Sequence, residues 1–228
     1  MSVYVLVVDD EPDVEALFRQ QFRRDLKAER FKMEFAPSAH EALVCAAGIK
    51  DPSLILILSD INAIVEESLN LAYHGARAEK SGFNITLKRE LDPAAGMIDL
   101  YPQEITRVFL NLISNGFYAA TKRKEAGEEG FEPTLIATTK DLGNKVEIRI
   151  RDNGTGIPPE VREKMFNPFF TTKPAGEGTG LGLSMSHDII VKQHGGKIDV
   201  DTRQGSFTEF IITLPRAAAA LTQGGGRN

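Results

Sequence analysis

Val3-Tyr4-Val5-Leu6-Val7-Val8 is an unbroken apolar run rich in β-branched residues, the pattern of a strand covered on both faces in a parallel sheet. Asp9-Asp10-Glu11-Pro12 ends it and opens a helix, with Pro12 in the first turn and Val14, Leu17, Phe18 and Phe22 on one face. Lys32 to Phe35 predicts a short strand. Ser38-Ala39-His40-Glu41 is a capping box ahead of a second helix, which the Asp51-Pro52 pair breaks. Leu54 to Leu58 then predicts a third, fully apolar strand. The order to this point is β-α-β-α-β, which implies parallel strands joined by right-handed crossovers.

The periodicity changes beyond Asp60. Ile61, Ile64, Val65, Leu69, Ala72 and Ala76 recur at helical spacing, predicting a long helix to about Glu79. Asn84 to Leu91 alternates like a strand. Pro102 starts a second long helix with Ile105, Val108, Phe109, Leu112 and Ile113 inward. Thr134 to Thr139 and Val146 to Ile150 flank Asp141-Leu142-Gly143-Asn144 and predict a hairpin. A Gly- and Pro-rich region from Asp152 to Gly182 precedes a helix to about His194. Two strands, Lys197 to Asp201 and Phe207 to Leu214, close the pattern. Hairpins with helices between them predict an α+β layer, unlike the parallel start.

Composition narrows the classes. The net charge of −5 argues against nucleic acid as the main partner. No apolar run approaches the roughly 18 residues of a membrane helix, and no basic-then-apolar leader is seen, so a cytoplasmic protein is expected. The one cysteine, Cys45, cannot form an internal disulfide and reads as a packing residue.

Four elements carry candidate chemistry. Asn111 and Asn115 lie four apart on one helical face; each amide oxygen is a suitable hard ligand for magnesium, although solvated polar positions give the same spacing. Asp152-Asn153-Gly154-Thr155-Gly156 follows a strand, where it is either an ordinary turn or a carboxylate placed to accept from an exocyclic amine such as that of adenine. Phe166 to Lys173 joins aromatics to a Thr/Lys segment, as in a hinge and lid or an anchored loop. Gly178-Thr179-Gly180-Leu181-Gly182 enters a helix, where backbone N–H groups can hold phosphates. A dinucleotide fingerprint would need a strand directly before these glycines, and the polar stretch Thr171 to Glu177 stands there instead.

In this order the four elements resemble the N, G1, F and G2 boxes of the histidine-kinase catalytic domain, over about Asn84 to Pro215. The resemblance implies the Bergerat (GHKL) ATP-binding fold, an α/β sandwich of a mixed sheet with helices on one face, and ATP with Mg2+ as ligands. It implies that Asn115 ligates magnesium and that Asn111 supports metal and phosphates as the catalytic pair. Asp152 would read the adenine amine, with Gly154 and Gly156 shaping the base pocket and Thr208 supporting the aspartate. Phe169 and Lys173 would belong to the lid, and Gly178, Thr179, Gly180, Leu181 and Gly182 would face the phosphates. Where the family often carries Lys or Arg, three residues after the second Asn, this chain has Tyr118, with Lys122 one turn further. Hydrolysing relatives place a Glu where Asn111 stands; an amide is no general base, so phosphoryl transfer to histidine is favoured over hydrolysis.

Val5 to Asp10 and Ser59-Asp60-Ile61-Asn62 resemble the acidic start and phosphoacceptor strand of a response-regulator receiver, with Asp9, Asp10 and Asp60 as a vestigial metal site. The resemblance stops near Asn62. The expected organisation is a truncated, flavodoxin-like receiver segment at 1–61, a linker helix at 62–82, the catalytic domain at 83–216 and a disordered tail at 217–228. None of His40, His74, His187 and His194 stands in a phosphoacceptor motif. The acceptor would therefore be a histidine-bearing phosphotransfer or dimerisation domain elsewhere, with a response regulator downstream and a homodimer as one arrangement. A non-catalytic nucleotide-binding regulator and an ATP-hydrolysing switch are the alternatives.

Overall fold

The computed structural model describes residues 3–8, 12–21, 23–29, 31–48, 54–127, 129–174 and 176–216. Two sheets organise it. In the first, β1 (Val3–Val8) lies between β2 (Lys32–Ala36) and β3 (Leu54–Asp60), parallel to both. Helices α1 (Pro12–Gln21) and α2 (Arg23–Lys27) connect β1 to β2, and α3 (Ala39–Gly48) connects β2 to β3. The Glu41 N–H donates to Ser38 Oγ at 3.2 Å, as the capping box predicts. Alternation along β1 feeds two small cores: Val5 and Val7 meet Met33 and Phe18, while Leu6 meets Ala36, Ala42 and Cys45.

The second sheet has the order β4-β6-β7-β9-β8. Its strands are β4 (Thr86–Glu90), β6 (Thr134–Asp141), β7 (Lys145–Asp152), β8 (Lys197–Arg203) and β9 (Phe207–Pro215); β4 and β6 run parallel and the other pairs antiparallel. Period-two alternation turns Val146, Ile148 and Ile150 of β7 and Phe210, Ile212 and Leu214 of β9 inward. Helices α4 (Ile61–Glu79) and α5 (Pro102–Glu125) cover that face. The stripe Ile105, Val108, Phe109, Leu112 and Ile113 of α5 is fully buried. The α+β expectation and the long helices follow the sequence pattern closely.

One element was not expected. β5 (Met97–Asp99) lies within the second pattern of the chain yet pairs antiparallel with β3, Asp60 opposite Met97 and Leu58 opposite Asp99. It covers the sheet edge that three parallel strands leave open. The expected boundary at residue 61 is therefore crossed by a shared sheet. Beside it, Asn62 Nδ2 donates to the Asp92 carbonyl at 2.9 Å and Asn62 Oδ1 accepts from Thr139 Oγ1 at 2.7 Å. Arg216 closes the same end: it donates to the carbonyls of Met97, Ala94 and Gly143 and to the Asp141 carboxylate. That ion-paired hydrogen bond holds Asp141 below its ordinary pKa.

Two further details depart from the pattern. Beyond the short α6 (Pro159–Arg162), the helix expected to reach His194 is α7 (Gly182–Asp188) followed by a π-helical turn, Ile189–Gln193. His194 ends that turn, buried, with Nδ1 on the Ile189 carbonyl at 2.9 Å and Nε2 accepting the Tyr101 N–H at 3.0 Å, a structural role. Asp9, Asp10 and the tail expected at 217–228 lie outside the described residues. Among the described residues no helix is long and apolar enough to cross a membrane.

Candidate nucleotide site

α5 places the polar residues beside its buried stripe. Asn111, Asn115, Tyr118 and Lys122 follow one another at spacings of four, three and four, so they share the flank next to the core face. β7 supplies further lining residues and packs against α5: a Cβ on Gly116 would stand 3.3 Å from Asp152 Cβ. Asp152 continues the inward phase of Val146, Ile148 and Ile150, and the strand geometry buries it to 4% exposure. Beside them lies a cavity of about 380 Å³, lined by Asn111, Asn115, Asp152, Gly156, Lys173, Gly178, Thr179, Gly180, Gly182 and Thr208 among others. Ten predicted residues thus converge on one cavity. A concave site with a few convergent polar groups is what a small-molecule ligand requires.

Asp152 is perturbed. Burial raises its carboxyl to a pKa of about 7, opposed by hydrogen bonds from the backbone N–H groups of Gly154, Thr208 and Asp152 itself. The Gly154 N–H contact is 2.8 Å. Thr208 supports the aspartate through its main chain; its hydroxyl lies 3.3 Å from Thr202 Oγ1 instead. Two close approaches explain glycines. A Cβ on Gly154 would stand 2.5 Å from the Ala119 backbone, and one on Gly182 would stand 2.2 Å from Asn111 Oδ1. Gly154 therefore acts by letting the loop lie on α5, rather than by lining the cavity.

At the other end of the cavity the asparagines are bonded in series. Asn111 Nδ2 donates to Ser186 Oγ at 3.0 Å, and Asn115 Nδ2 lies 3.5 Å from Asn111 Oδ1. Asn115 Oδ1 accepts from Lys173 Nζ at 2.9 Å. Lys173 comes from the segment after Phe170 and sits over the Tyr118 ring, 4.6 Å from its centroid. Burial lowers the pKa of its ammonium, against the raising effect of Glu177. The oxygen expected to meet magnesium thus already holds a cation, which fits a metal-ligating role. No cluster of three or more His, Cys, Asp or Glu exists among the described residues, so a metal here would take amide and ligand oxygens.

Four predicted residues stand apart from the cavity lining: Gly154, as above, and three others. Phe169, at φ 65°, is 75% exposed, and its backbone packs where a Cβ of Gly180 would lie. Leu181 caps the start of α7. Asp60 is outside the cavity, at the junction of β3 and α4, where its carboxylate caps α4 by accepting from the N–H groups of Asn62 and Ala63. Sequence reasoning missed Ser186, whose signal was only a polar residue four after Gly182. Sequence reasoning offered Lys122 as the basic group near Tyr118; its Nζ lies 5.5 Å from the Tyr118 ring centroid, and Lys173 Nζ lies closer, at 4.6 Å.

Residues 101–218 match the family model described as histidine kinase-, DNA gyrase B-, and HSP90-like ATPase. Sensor histidine kinase ZraS of Escherichia coli (strain K12) is 34% identical over 167 residues, covering 73% of this chain and 32% of ZraS. Two-component sensor PprA of Pseudomonas aeruginosa is 49% identical over 121 residues, 53% of this chain and 13% of PprA. The chain thus spans about a third or less of the length of these relatives. The solved catalytic domain of histidine kinase ThkA superposes with a TM-score of 0.59 at 30% identity, covering 72% of this chain and 97% of that one. The matched segment, which also builds the cavity, and a fold shared with a kinase catalytic domain place the chain: it belongs to the family of histidine kinase-, gyrase B- and HSP90-like ATPases, and carries a catalytic domain homologous to those of sensor histidine kinases.

Proposed function

We propose that this domain binds Mg2+–ATP and transfers the γ-phosphoryl group to a histidine supplied by another domain or chain. The supporting observation is that a buried carboxylate, Asp152, and a cation-bearing amide oxygen, Asn115, line one cavity. Asp152 would accept from the adenine amine. Asn115 and Asn111 would hold magnesium and the phosphates, and the glycine segment from Gly178 to Gly182 would offer its backbone N–H groups. Bound magnesium would neutralise charge developing on the phosphoryl oxygens. In the transfer, an imidazole nitrogen forms the new bond to γ-phosphorus while the bond to the β–γ bridging oxygen breaks, and ADP leaves. Asn111 offers no carboxylate base, and neutral imidazole needs none. Lys173 supplies the positive charge that helix α5 lacks at Tyr118.

In this reading residues 1–61 are a truncated receiver segment, 62–82 the linker helix and 83–216 the catalytic domain. The three parallel strands in the order β2-β1-β3 support the receiver likeness. The partners are a histidine-bearing domain, a response regulator and a second copy of the chain, in the cytoplasm. Transfer from γ-labelled ATP to a separate histidine-bearing domain of a sensor kinase tests the proposal. Labelled histidine is the expected product. Binding without any transfer would overturn it in favour of a nucleotide-dependent regulator.

A further inference from the structure

A side-chain amide presents oxygen at one end and NH2 at the other, and only the oxygen can ligate a cation. Something must therefore decide which way Asn115 faces. We infer that Ser186, in α7, is the positioning residue that does so, an inference that rests on reading Asn115 as the magnesium ligand.

The polarity follows link by link. Ser186 is 2% exposed, and its hydroxyl donates its single proton to the Gly182 carbonyl at 2.9 Å. Toward Asn111 it can then only accept, so Asn111 turns its Nδ2 to Ser186, 3.0 Å away. Asn111 Oδ1 consequently faces Asn115 Nδ2, and Asn115 Oδ1 faces the cavity. The far end agrees independently. An ammonium donates and never accepts, and Lys173 Nζ stands on Asn115 Oδ1 at 2.9 Å. A carbonyl that only accepts at one terminus and an ammonium that only donates at the other allow one direction for the whole chain. Gly182 completes the arrangement, since a Cβ there would displace the Asn111 amide.

Loss of the Ser186 acceptor leaves the Asn111 amide free to reverse, which removes the acceptor of Asn115 Nδ2 and leaves Asn115 held toward the cavity by Lys173 alone, a contact that magnesium displaces. The experiment is calorimetry of ATP binding to the full chain with magnesium and in EDTA. Ser186→Ala, and the nearly isosteric but weakly accepting Ser186→Cys, should each reduce the magnesium enhancement of affinity on the order of tenfold, as second-layer ligand partners do. Affinity in EDTA should match wild type. Ser186→Thr, which keeps the hydroxyl, should retain the enhancement. Side-chain amide resonances of Asn115, followed with 15N-asparagine, should move in the Ala and Cys proteins and not in Thr. Circular dichroism identifies a variant that has not folded, and the Cys protein then decides. If Ala and Cys keep the full enhancement while Asn115→Ala loses it, the Ser186 inference is overturned and the magnesium reading survives. If Asn115→Ala also keeps it, the magnesium reading itself fails and takes the inference with it.

Discussion

Lys173 Nζ and Asn115 Oδ1 lie 2.9 Å apart although 58 residues separate them in the chain. The contact ties the segment after Phe170 to α5 and gives the ammonium one amide oxygen and one aromatic face as partners. Magnesium arriving at Asn115 would release this lysine toward the phosphates. We therefore expect Lys173→Met to weaken ATP binding about tenfold, the scale of one charge-assisted hydrogen bond. Adenosine affinity should be unchanged. Equal loss for both ligands in calorimetry would remove the lysine from the phosphate end. In the wild type, amide exchange of Asn167 to Lys173 should slow when Mg2+–ATP is added.

Asp152 predicts a pH dependence. Its folded pKa, about 7, stands above the ordinary 3.8, so the folded state binds the extra proton between those values. Stability should accordingly be highest at the acid side of this window, decline as pH rises through it, and level off above about pH 7. ATP affinity should run the other way, strengthening with deprotonation as the carboxylate becomes a better acceptor for the adenine amine. Asp152→Asn should flatten both curves and abolish tight binding. A wild-type melting profile with no decline across the window would show that Asp152 is not perturbed as described.

Gly154→Ala tests the contact between the loop after β7 and α5. The added Cβ would meet backbone atoms of Ala119 and Ala120 at 2.5 and 2.7 Å, and neither can yield without bending α5. Overpacking of this kind costs about 1–3 kcal/mol, so a fall in Tm of several degrees is expected, with ATP binding weakened because Asp152 shifts too. A melting temperature unchanged from wild type would mean that the loop relaxes freely.

Asp60 is expected to resist phosphorylation. Its Oδ1 is engaged at 2.7 Å by the Asn62 N–H as the cap of α4, and an acyl phosphate formed through Oδ2 would turn that charged oxygen into a weaker, neutral acceptor. Asp60→Ala should cost about 1 kcal/mol and Asp60→Asn much less, as for other N-caps. Incubation with a small phosphodonor and magnesium, mapped by mass spectrometry, should leave Asp60 unmodified. Near-stoichiometric phosphate there would show a working receiver.

Most of the second sheet was legible because its information is local. Strict alternation in Val146 to Ile150 announces β7, and Asp152 falls on the inward phase of the same alternation. The α5 stripe is equally plain, and the paired asparagines stand on its flank. β5 was not legible: three residues between Gly96 and Leu100 carry almost no periodicity, and only the exposed edge of β3, distant in sequence, gives them a partner. Ser186 escaped for a related reason. A serine four residues into a helix reads as a neutral surface choice until the fold brings Asn111 against it. The π-helical turn at Ile189–Gln193 likewise follows from how His194 meets Tyr101, a contact no local window contains.

The Arg216 cluster has a topological consequence. Asp60, where the chain enters α4, pairs with Met97; the Met97 carbonyl accepts from Arg216, whose own carbonyl accepts from Asp99. Entry and exit of the ATP-binding unit thus sit side by side on one short strand, at the opposite end of β7 from Asp152. A segment whose two ends are neighbours can be spliced into a host loop, or circularly permuted by joining them with a short tether, without pulling on its interior. The unit has the geometry of a transplantable cassette, with Asp152 at the end of β7 away from the seam.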